Sequence, residues 1–428
     1  MTAAENPIHL ILIGDELLSG KRQDLHLRRV ASDLTRLGAR VETCEVIRDE
    51  PGAVADAVRR RLAPGAIILT TGGLGPTLDD LTREGISEAT GVGLREESEI
   101  WEDLKQRFER AGRKISESNR SQALVPEKGV YFINVNGTAP GLVFEPPGLE
   151  GCRVVALPGP PRELVPMWDN QVLPYLREVY AWPPCPYAVL MRFVLVGESN
   201  IDEKMRPLLA PYPEISLSSL IRIARVDVTL SVAREDARGQ ERLHSVVSET
   251  QALFGEFLYE TLALSEDSDS PPREFEQVIA DLLRQRGETA ALAESCTGGL
   301  VSKYLTDFAG SSDVFKGGVV SYHNDLKRDL LGVPEAVLSA HGAVSEETAK
   351  AMALGVAART GAEWGLAITG IAGPGGGTEA KPIGLVWIAL AGKGEVATRR
   401  YEFPGDREWV RERAAVAALR LLWLSLKG

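Results

Sequence analysis

The sequence predicts a multidomain α/β protein, with a parallel sheet in the first and last thirds of the chain and a small α+β module between them. Two observations lead to this prediction. Apolar runs of strand length alternate with segments of helical periodicity in both outer thirds. A chain of 428 residues also has room for about three domains of roughly 150 residues, each with its own hydrophobic core.

The first domain is predicted over residues 1–172 as a β-α-β-α-β unit. Ile8 to Ile13, Val41 to Ile47 and Ala66 to Thr71 are apolar runs of strand length. Between the first two, apolar residues from Leu27 to Leu37 recur at helical spacing. Ligands of such sheets bind at the carboxyl ends of the strands. The glycine-rich segment after the third strand therefore lies where a site is expected.

That segment, TTGGLGPTLDD, lacks the pattern of a P-loop and the spacing of a dinucleotide fingerprint. Its backbone amides can approach a phosphate, and its two aspartates can hold a hard divalent cation such as Mg²⁺ beside it. A structural alternative is that the threonine caps the following helix while the aspartates favour the helix dipole. The candidate residues are Gly72, Gly73, Gly75 and Thr77 for the phosphate, and Asp79 and Asp80 for the cation.

A proline-rich region between Leu157 and Tyr187 interrupts the helical periodicity and ends the first domain. A small α+β middle domain follows over residues 173–264, with no obvious chemical motif and a structural role. The polar, acidic residues 265–274 have the composition of a linker. The middle domain is predicted to contain strands at Tyr187–Val196 and Arg225–Val232 and helices at Ile201–Leu209 and Glu241–Phe254.

The last domain is predicted over residues 275–428. It opens with a helix whose apolar residues, from Phe275 to Leu283, recur on one face. Further strands alternate with helical segments, so this domain is also predicted to be α/β. The predicted strands are Thr289–Ala293, Gly318–Tyr322, Gly365–Thr369 and Gly384–Leu390.

The segment AESCTGG places Ser295 at the end of the first of these strands, before two glycines that open a helix. Such a turn can expose a nucleophilic hydroxyl, while the amides near Thr297, Gly298 and Gly299 face an oxyanion or a phosphate. A serine nucleophile needs a base. The nearby segment SYHNDLK offers Tyr322 and Lys327 as a proton relay, provided that burial or a neighbouring cation removes the lysine charge.

Other interpretations of these residues stay open on spacing alone. Ser295 can be a helix cap, Tyr322 a half-buried strand residue and Lys327 a solvated helix residue. Cys296 is a rival nucleophile, although cysteine is also among the most buried residue types. His323 and His341 fit packing or capping, because no metal-binding spacing joins them.

Composition narrows the class of protein. The formal net charge of −12 disfavours direct binding to nucleic acid over a broad surface. The four cysteines are far apart and suggest neither a disulfide framework nor a zinc site. The apolar run near the start is too short for a signal peptide or a membrane span. We therefore expect a cytoplasmic protein that acts on small molecules and has no membrane association.

Five motifs of the last domain together resemble the C-terminal domain of the CinA family, which is similar to stand-alone nicotinamide-mononucleotide amidohydrolases. The resemblance implies hydrolysis of the nicotinamide carboxamide by a Ser, Tyr and Lys set, here Ser295, Tyr322 and Lys327, with no cofactor. The segment from Thr369, with Gly370 and Gly373, and Arg407 are candidates to hold the ribose phosphate. The motifs are AESCTGG, GGVVSYHNDLK, HGAVSEETA, ITGIAGPGGGTEAKPIG and FPGDREWVR.

The first domain resembles the N-terminal domain of the same family, which is similar to molybdopterin-binding domains. The resemblance implies metal-dependent ADP-ribose pyrophosphatase activity, and family members suggest a homodimer. One position departs from the pattern: the family has Asp-x-Asn where this chain has Asp24, Leu25 and His26, which puts the first activity in doubt. The motifs are GDELLSG, TTGGLGPTLDDLT, NRSQALVP, NGTAPG and LPGPPREL.

The two activities together would serve pyridine nucleotide recycling. Two alternatives remain at this point: a first domain that binds a pterin or transfers a nucleotidyl group, and a non-catalytic adaptor in competence or DNA damage. The acidic charge counts against direct DNA contact but leaves a protein partner open.

Overall fold

The computed structural model describes residues 6–428 except 78–79, 111, 181, 183–184 and 265–271. The chain divides into two compact units, Met1–Cys185 and Pro186–Gly428.

The first unit alternates strands and helices, as the sequence predicts. Short 3₁₀ and π segments occupy Glu117–Ala123 and Trp168–Val172. In chain order its other elements are β1 (Ile8–Ile13), α1 (Asp15–Leu18), α2 (His26–Arg36), β2 (Val41–Ile47), α3 (Pro51–Arg59), β3 (Ile67–Thr71), α4 (Thr82–Thr90), β4 (Leu94–Glu96), α5 (Ser98–Arg110), β5 (Leu124–Pro126), β6 (Gly129–Phe132), β7 (Gly141–Phe144), β8 (Arg153–Leu157), α6 (Pro161–Met167) and α7 (Leu173–Val179).

Its main sheet has the strand order β2-β1-β3-β8-β7-β6. The pairs β1–β2, β1–β3 and β3–β8 are parallel, whereas β7–β8 and β6–β7 are antiparallel. Successive residues of β1 point to opposite faces, so Leu10 and Leu12 join one core while Ile11 and Ile13 join the other. The predicted α/β fold with both sheet faces covered is confirmed, and β1, β3 and β8 end at the same edge.

The middle module begins the second unit with a four-stranded antiparallel sheet of order β10-β11-β9-β12. The predicted strands and helices are found, but β10 and β12 were not predicted. β10 is an edge strand whose side chains are mostly exposed, so it lacks the apolar pattern of a buried strand. The elements are β9 (Tyr187–Val194), α8 (Glu198–Leu209), β10 (Ser216–Arg222), β11 (Arg225–Val232), α9 (Ala237–Phe254) and β12 (Leu258–Leu264).

The C-terminal domain contains a five-stranded sheet of order β14-β13-β15-β16-β17. The first three strands are parallel and the last two join antiparallel. A short 3₁₀ segment occupies Ser311–Asp313. The elements are α10 (Phe275–Arg286), β13 (Ala290–Glu294), α11 (Leu300–Thr306), β14 (Phe315–Val320), α12 (Asn324–Leu331), α13 (Glu335–His341), α14 (Glu346–Thr360), β15 (Trp364–Gly370), β16 (Leu385–Gly392), β17 (Glu395–Glu402) and α15 (Arg407–Lys427).

Two cores cover the faces of this sheet. Ala290 and Leu292 of β13 face the core formed with α10, α11 and α15, while Ala291 and Ala293 face the core formed with α14. Helix α10 buries Phe275, as its apolar stripe predicts. With both faces covered, the open place for a ligand is the edge at which β13, β14 and β15 end.

The structural divisions differ from the predicted domain boundaries at two places. Residue 172 falls inside a continuous helical segment, and Leu176 of α7 is buried in the core of the first unit, which therefore runs to Cys185. The middle module and the C-terminal domain form one unit. Of the predicted linker, residues 265–271 lie outside the described residues, while Glu274 caps α10 together with Gln277.

Buried ion pairs join the middle module to α10. Arg192 on β9 is 3% exposed and donates to Asp227 over 3.0 Å and to Glu274 over 3.0 Å. Arg225 on β11 pairs with Glu274 over 2.9 Å and with Glu276 over 3.1 Å. Because these charges are mostly removed from water, each depends on its partners for solvation.

We predict that Arg192→Ala destabilises the second unit by about 2 kcal/mol, because Asp227 and Glu274 each lose one charged hydrogen-bond donor while Arg222 still pairs with both. Urea unfolding of the full chain measures the change. The matched control is Arg206→Ala, which removes an exposed pair with Asp202 in the same module and should leave the unfolding midpoint unchanged. Equal midpoints for the two variants would show that the network contributes nothing to stability.

Candidate functional site

The candidate site of the C-terminal domain lies where β13 turns into α11. Ser295 directly follows β13, and its amide donates to the carbonyl of Ile368 on β15 over 2.9 Å. Gly298 and Gly299 have φ angles of +61° and +94°, a left-handed backbone that favours glycine. The glycines allow the sharp reversal into the helix, and the reversal leaves the serine at the end of the sheet.

The Glu294 side chain fixes the shape of this turn through hydrogen bonds to its backbone. Its side chain is fully buried and accepts from the amides of Gly299, Val301 and Ser302 over 3.0, 3.2 and 2.8 Å. A carboxylate at the amide end of a helix is stabilised both by these bonds and by the helix dipole. Sequence reasoning missed Glu294. The available signal was an acidic residue at the end of an otherwise apolar strand and just before a helix.

The predicted oxyanion donors are only partly available. The Gly298 amide donates to the Ser295 carbonyl over 3.1 Å, and the Gly299 amide donates to Glu294. Across the described chain, the amides of Cys296 and Thr297 have no acceptor. The buried hydroxyl of Thr297 also has no hydrogen-bond partner there. The turn therefore keeps Thr297 of the three predicted donors and adds Cys296.

Arg411 holds the other side of the turn. From α15 its Nη2 donates to the Thr297 carbonyl over 2.7 Å. This bond fixes the peptide plane between Thr297 and Gly298. Arg411 ends the motif FPGDREWVR, but the motif gave no sign of a contact with Thr297, which lies 114 positions away. The turn that carries Ser295 is thus held by hydrogen bonds to the Glu294 carboxylate and from the Arg411 guanidinium.

The structure brings Ser295 and Lys327 into direct contact. Lys327 projects from α12, is 1% exposed, and its Nζ lies 3.2 Å from Ser295 Oγ. Nζ also donates to the Ser321 carbonyl over 2.6 Å. Burial lowers the pKa of the Lys327 amine. A lowered pKa favours the neutral amine, which is the form that can accept a proton from a hydroxyl.

The pairing of β13 with β14 explains why residues so far apart in sequence meet. The strands run parallel and end together, and just beyond them the Ser321 amide donates to the Glu294 carbonyl over 2.8 Å. Helix α12 starts immediately after this point and points Lys327 back over the strand ends. The serine and the lysine therefore share one edge of the sheet.

Tyr322 lies beside this pair, but its hydroxyl does not reach it. The Tyr322 side chain is 58% exposed, and its hydroxyl accepts from Arg407 Nη2 over 3.0 Å. Arg407 Nη1 donates to the Gly373 carbonyl over 2.8 Å. Three predicted site residues, Tyr322, Arg407 and Gly373, are thus joined to one another. A role for the Tyr322 hydroxyl in proton transfer stays a prediction.

Thr369 and Gly370 are part of the sheet rather than of an open loop. The Thr369 hydroxyl is buried and donates to the Ala343 carbonyl over 2.7 Å. A Cβ on Gly370 would lie 2.7 Å from the Leu385 carbonyl oxygen, so close strand packing requires glycine there. The exposed part of this loop begins at Pro374, directly after the buried Gly373.

The rival nucleophile, Cys296, points into the protein. Its side chain is 5% exposed and belongs to the hydrophobic core. Burial raises the pKa of the Cys296 thiol to about 12. A thiol with this pKa carries almost no thiolate near neutral pH, so the geometry favours Ser295.

The first unit carries its own cleft of about 690 Å³ at the carboxyl ends of β1 and β3. The glycine-rich loop from Gly72 to Gly75 lines it. A Cβ on Gly72 would lie 2.3 Å from the Ile13 carbonyl oxygen, and one on Gly73 would lie 2.2 Å from Thr82 Oγ1. Close packing therefore requires both glycines. The cleft is acidic, with Glu16, Asp24, Asp49, Asp80 and Glu163 among its lining residues.

Thr77 and Asp80 form a local turn at the rim of the cleft. Asp80 Oδ2 accepts from the Thr77 amide over 2.9 Å and from its hydroxyl over 2.5 Å. Both bonds of this turn use Asp80 Oδ2, so a cation could bind at Oδ1. Asp79, the other predicted cation ligand, lies outside the described residues. Within the described ranges, no three His, Cys, Asp or Glu side chains are grouped so that they could hold a metal.

Comparisons with known proteins agree with both halves of the chain. Residues 273–426 match the family described as the CinA C-terminal domain, and residues 9–178 match a probable molybdopterin binding domain. A putative competence-damage inducible protein of Symbiobacterium thermophilum is 39% identical over 98% of both chains. A CinA-like protein of Rippkaea orientalis is 38% identical over 96% of this chain and 97% of its own. The chain belongs to the CinA family.

Among solved structures, the chain is similar to the competence/damage inducible protein CihA of Agrobacterium tumefaciens. The identity is 39%, and the match covers 37% of this chain and 99% of that one, with a TM-score of 0.35.

The position at which this CinA protein departs from the family pattern lies in the first cleft. His26 begins α2 and lines the cleft, and its Nε2 lies 2.7 Å from the Gly159 carbonyl oxygen. Asp24 caps the same helix by accepting from the Leu27 amide over 2.8 Å. The histidine thus replaces the family asparagine at a cleft-lining position and is tied to the loop after β8.

Among the described residues, no helix combines the length and apolarity that a membrane crossing requires.

Proposed function

We propose that the C-terminal domain hydrolyses the carboxamide of nicotinamide mononucleotide to nicotinic acid mononucleotide and ammonia. The observation that carries this proposal is the buried contact between Lys327 Nζ and Ser295 Oγ at 3.2 Å. A hydroxyl beside an amine with a lowered pKa is suited to nucleophilic attack on an acyl carbon. The choice of a nicotinamide nucleotide rests on the family resemblance of the motifs around these residues.

In the proposed reaction, Ser295 Oγ attacks the carboxamide carbon while Lys327 Nζ accepts the hydroxyl proton. The amides of Cys296 and Thr297 donate hydrogen bonds to the oxyanion that forms. Each such donor typically stabilises the transition state by about 3 kcal/mol. Lys327 returns the proton to the departing nitrogen, and ammonia leaves a Ser295 ester. Water then attacks that ester with Lys327 again as the base, releasing the carboxylic acid and restoring the serine.

The phosphate of the substrate is proposed to bind at the open side of the site. Arg407 is exposed there, and its bonds to Tyr322 and Gly373 hold the guanidinium in place. A held guanidinium binds phosphate oxygens with less loss of side-chain entropy than a free one. Tyr322 is therefore proposed to support Arg407 in addition to any part in proton transfer.

We predict that Ser295→Ala lowers ammonia release from nicotinamide mononucleotide by roughly 10⁴-fold or more, because the nucleophile is lost. A coupled ammonia assay on the full chain measures it.

The matched control for this prediction is Cys296→Ala, which changes the neighbouring residue and should retain most of the activity. Full activity in the Ser295 variant together with loss in the Cys296 variant would assign the nucleophile to the thiol and contradict the proposal.

We propose that the first unit cleaves the diphosphate of ADP-ribose with the help of a divalent cation. The acidic lining of its cleft supports this proposal, because a diphosphate among so many carboxylates would be repelled unless cations neutralise it. The residues fit such a cation. Asp49 and Asp80 flank the loop, within 3.0 Å of Cβ positions on Gly73 and Gly75.

Magnesium is usually bound by one or two carboxylates and completed by substrate phosphates. When bound, the cation would supply charge neutralisation and activation of the attacking water. Asp49 and Asp80 would hold it, while the amides of the glycine loop orient the phosphates.

Replacing Asp80 by asparagine should reduce ADP-ribose cleavage by about tenfold or more, since the amide keeps the Thr77 turn but removes one charge from the cation site. Release of AMP, measured for both proteins with and without a chelator, tests the need for Asp80 and the need for a divalent cation. Ser295→Ala serves as the control, because its change lies in the other unit and should leave this activity intact. Cleavage that persists in chelator would contradict a role for the cation.

A further inference from the structure

Arg83 is a buried cation without a matching set of partners. It lies in the first turn of α4 and is fully buried. Its Nη2 donates to the Leu74 carbonyl over 3.3 Å, while Nε and Nη1 have no hydrogen-bond partner in the described part of the chain. Burial lowers the pKa of the guanidinium. A buried charged group with unused donors is costly for the folded state and calls for an explanation.

The position of Arg83 suggests what compensates this cost. Leu74, which it contacts, is part of the glycine-rich loop that lines the first cleft. The next residue back, Thr82, is tied to the same loop through its amide, which donates to the Gly73 carbonyl over 3.1 Å. The guanidinium therefore lies against the loop without lining the cleft, and it is shielded from solvent.

The electrostatic field of a positive charge in this position reaches the cleft through the protein interior, where the dielectric constant is low. Coulomb interactions weaken much less there than in water, so an anion held by the loop amides would be attracted across the loop. The carboxylates of Asp80 and Glu84 are near enough to interact electrostatically with Arg83, yet neither forms a hydrogen bond with it in the described structure. They neutralise the charge only in part.

We propose that Arg83 is a positioning residue for a diphosphate group, fixing the Leu74 carbonyl and holding a positive charge behind the glycine-rich loop. The proposal rests on the proposed function of the first unit, and it extends that function to a residue that cannot itself touch the ligand. Arginine suits this role because its guanidinium keeps its proton even when buried.

The test compares Arg83→Met with Arg83→Lys in the full chain. Methionine fills a similar volume without charge, and lysine restores the charge. For Arg83→Met we expect an unfolding temperature of the ligand-free protein equal to or above that of the wild type. Its dissociation constant for inorganic diphosphate, measured by calorimetry with Mg²⁺ present, and its KM for ADP-ribose should each rise about tenfold. Arg83→Lys should recover most of the affinity.

Arg59→Met is the matched control, because it removes the same charge from an exposed position on α3 that does not line the cleft. It should bind diphosphate like the wild type. A lower unfolding temperature for Arg83→Met with unchanged affinity would show that Arg83 is only structural and overturn the inference. Arg83-dependent diphosphate binding without ADP-ribose cleavage would support the inference and overturn the proposed activity. A wild type that binds neither ligand would overturn both.

Discussion

The contact between a buried lysine amine and a serine hydroxyl is the interaction on which the proposed chemistry of the C-terminal domain depends. Serine is a weak nucleophile unless a base takes its proton, and lysine is a base only when it is uncharged. Burial of Lys327 at the ends of β13 and β14 lowers the pKa of its amine and so favours the uncharged form. The surrounding residues have complementary tasks: Glu294 and Arg411 fix the turn that carries the serine, and the Ser321 carbonyl orients the amine.

The two proposed sites are built alike but use different basic side chains. Both lie where parallel strands end, both use a glycine-rich turn, and both keep a buried basic side chain beside that turn. Lys327 can give up its proton and so become a base, whereas Arg83 retains its charge and can act only electrostatically. A reacting hydroxyl needs the first kind of group, and a bound anion needs the second. The residue type at each position therefore matches the chemistry proposed for its unit.

Much of the fold follows from the sequence, because the central strands are apolar and the helices between them have a clear period. The prediction fails for β10, where both faces of an edge strand are exposed and no apolar pattern is required. The first domain boundary, predicted at residue 172, also differs from the structure, because the proline-rich composition indicated the end of the domain although α7 still packs on the first core. A proline-rich composition indicates where the backbone is locally stiff, but it does not indicate which hydrophobic core a helix packs against.

For the site, the sequence made Ser295 and Lys327 candidates, and the structure brings these two side chains into contact, although spacing alone left other interpretations of both open. The sequence could not show that the Gly298 and Gly299 amides are already engaged, or that Glu294 and Arg411 fix the turn. Those facts depend on side-chain directions set by packing. The same holds for Tyr322, whose hydroxyl turns to Arg407 rather than to the lysine.

The most direct test of this account is the pH dependence of ammonia release under single-turnover conditions. If a neutral Lys327 is the base, the rate should rise with pH through one ionisation that lies below the ordinary pKa of lysine, as the amine loses its proton. The Lys327→Met protein should lack this rise. A wild-type rate that is independent of pH across the range where the protein stays folded, or one that falls as pH increases, would contradict the account.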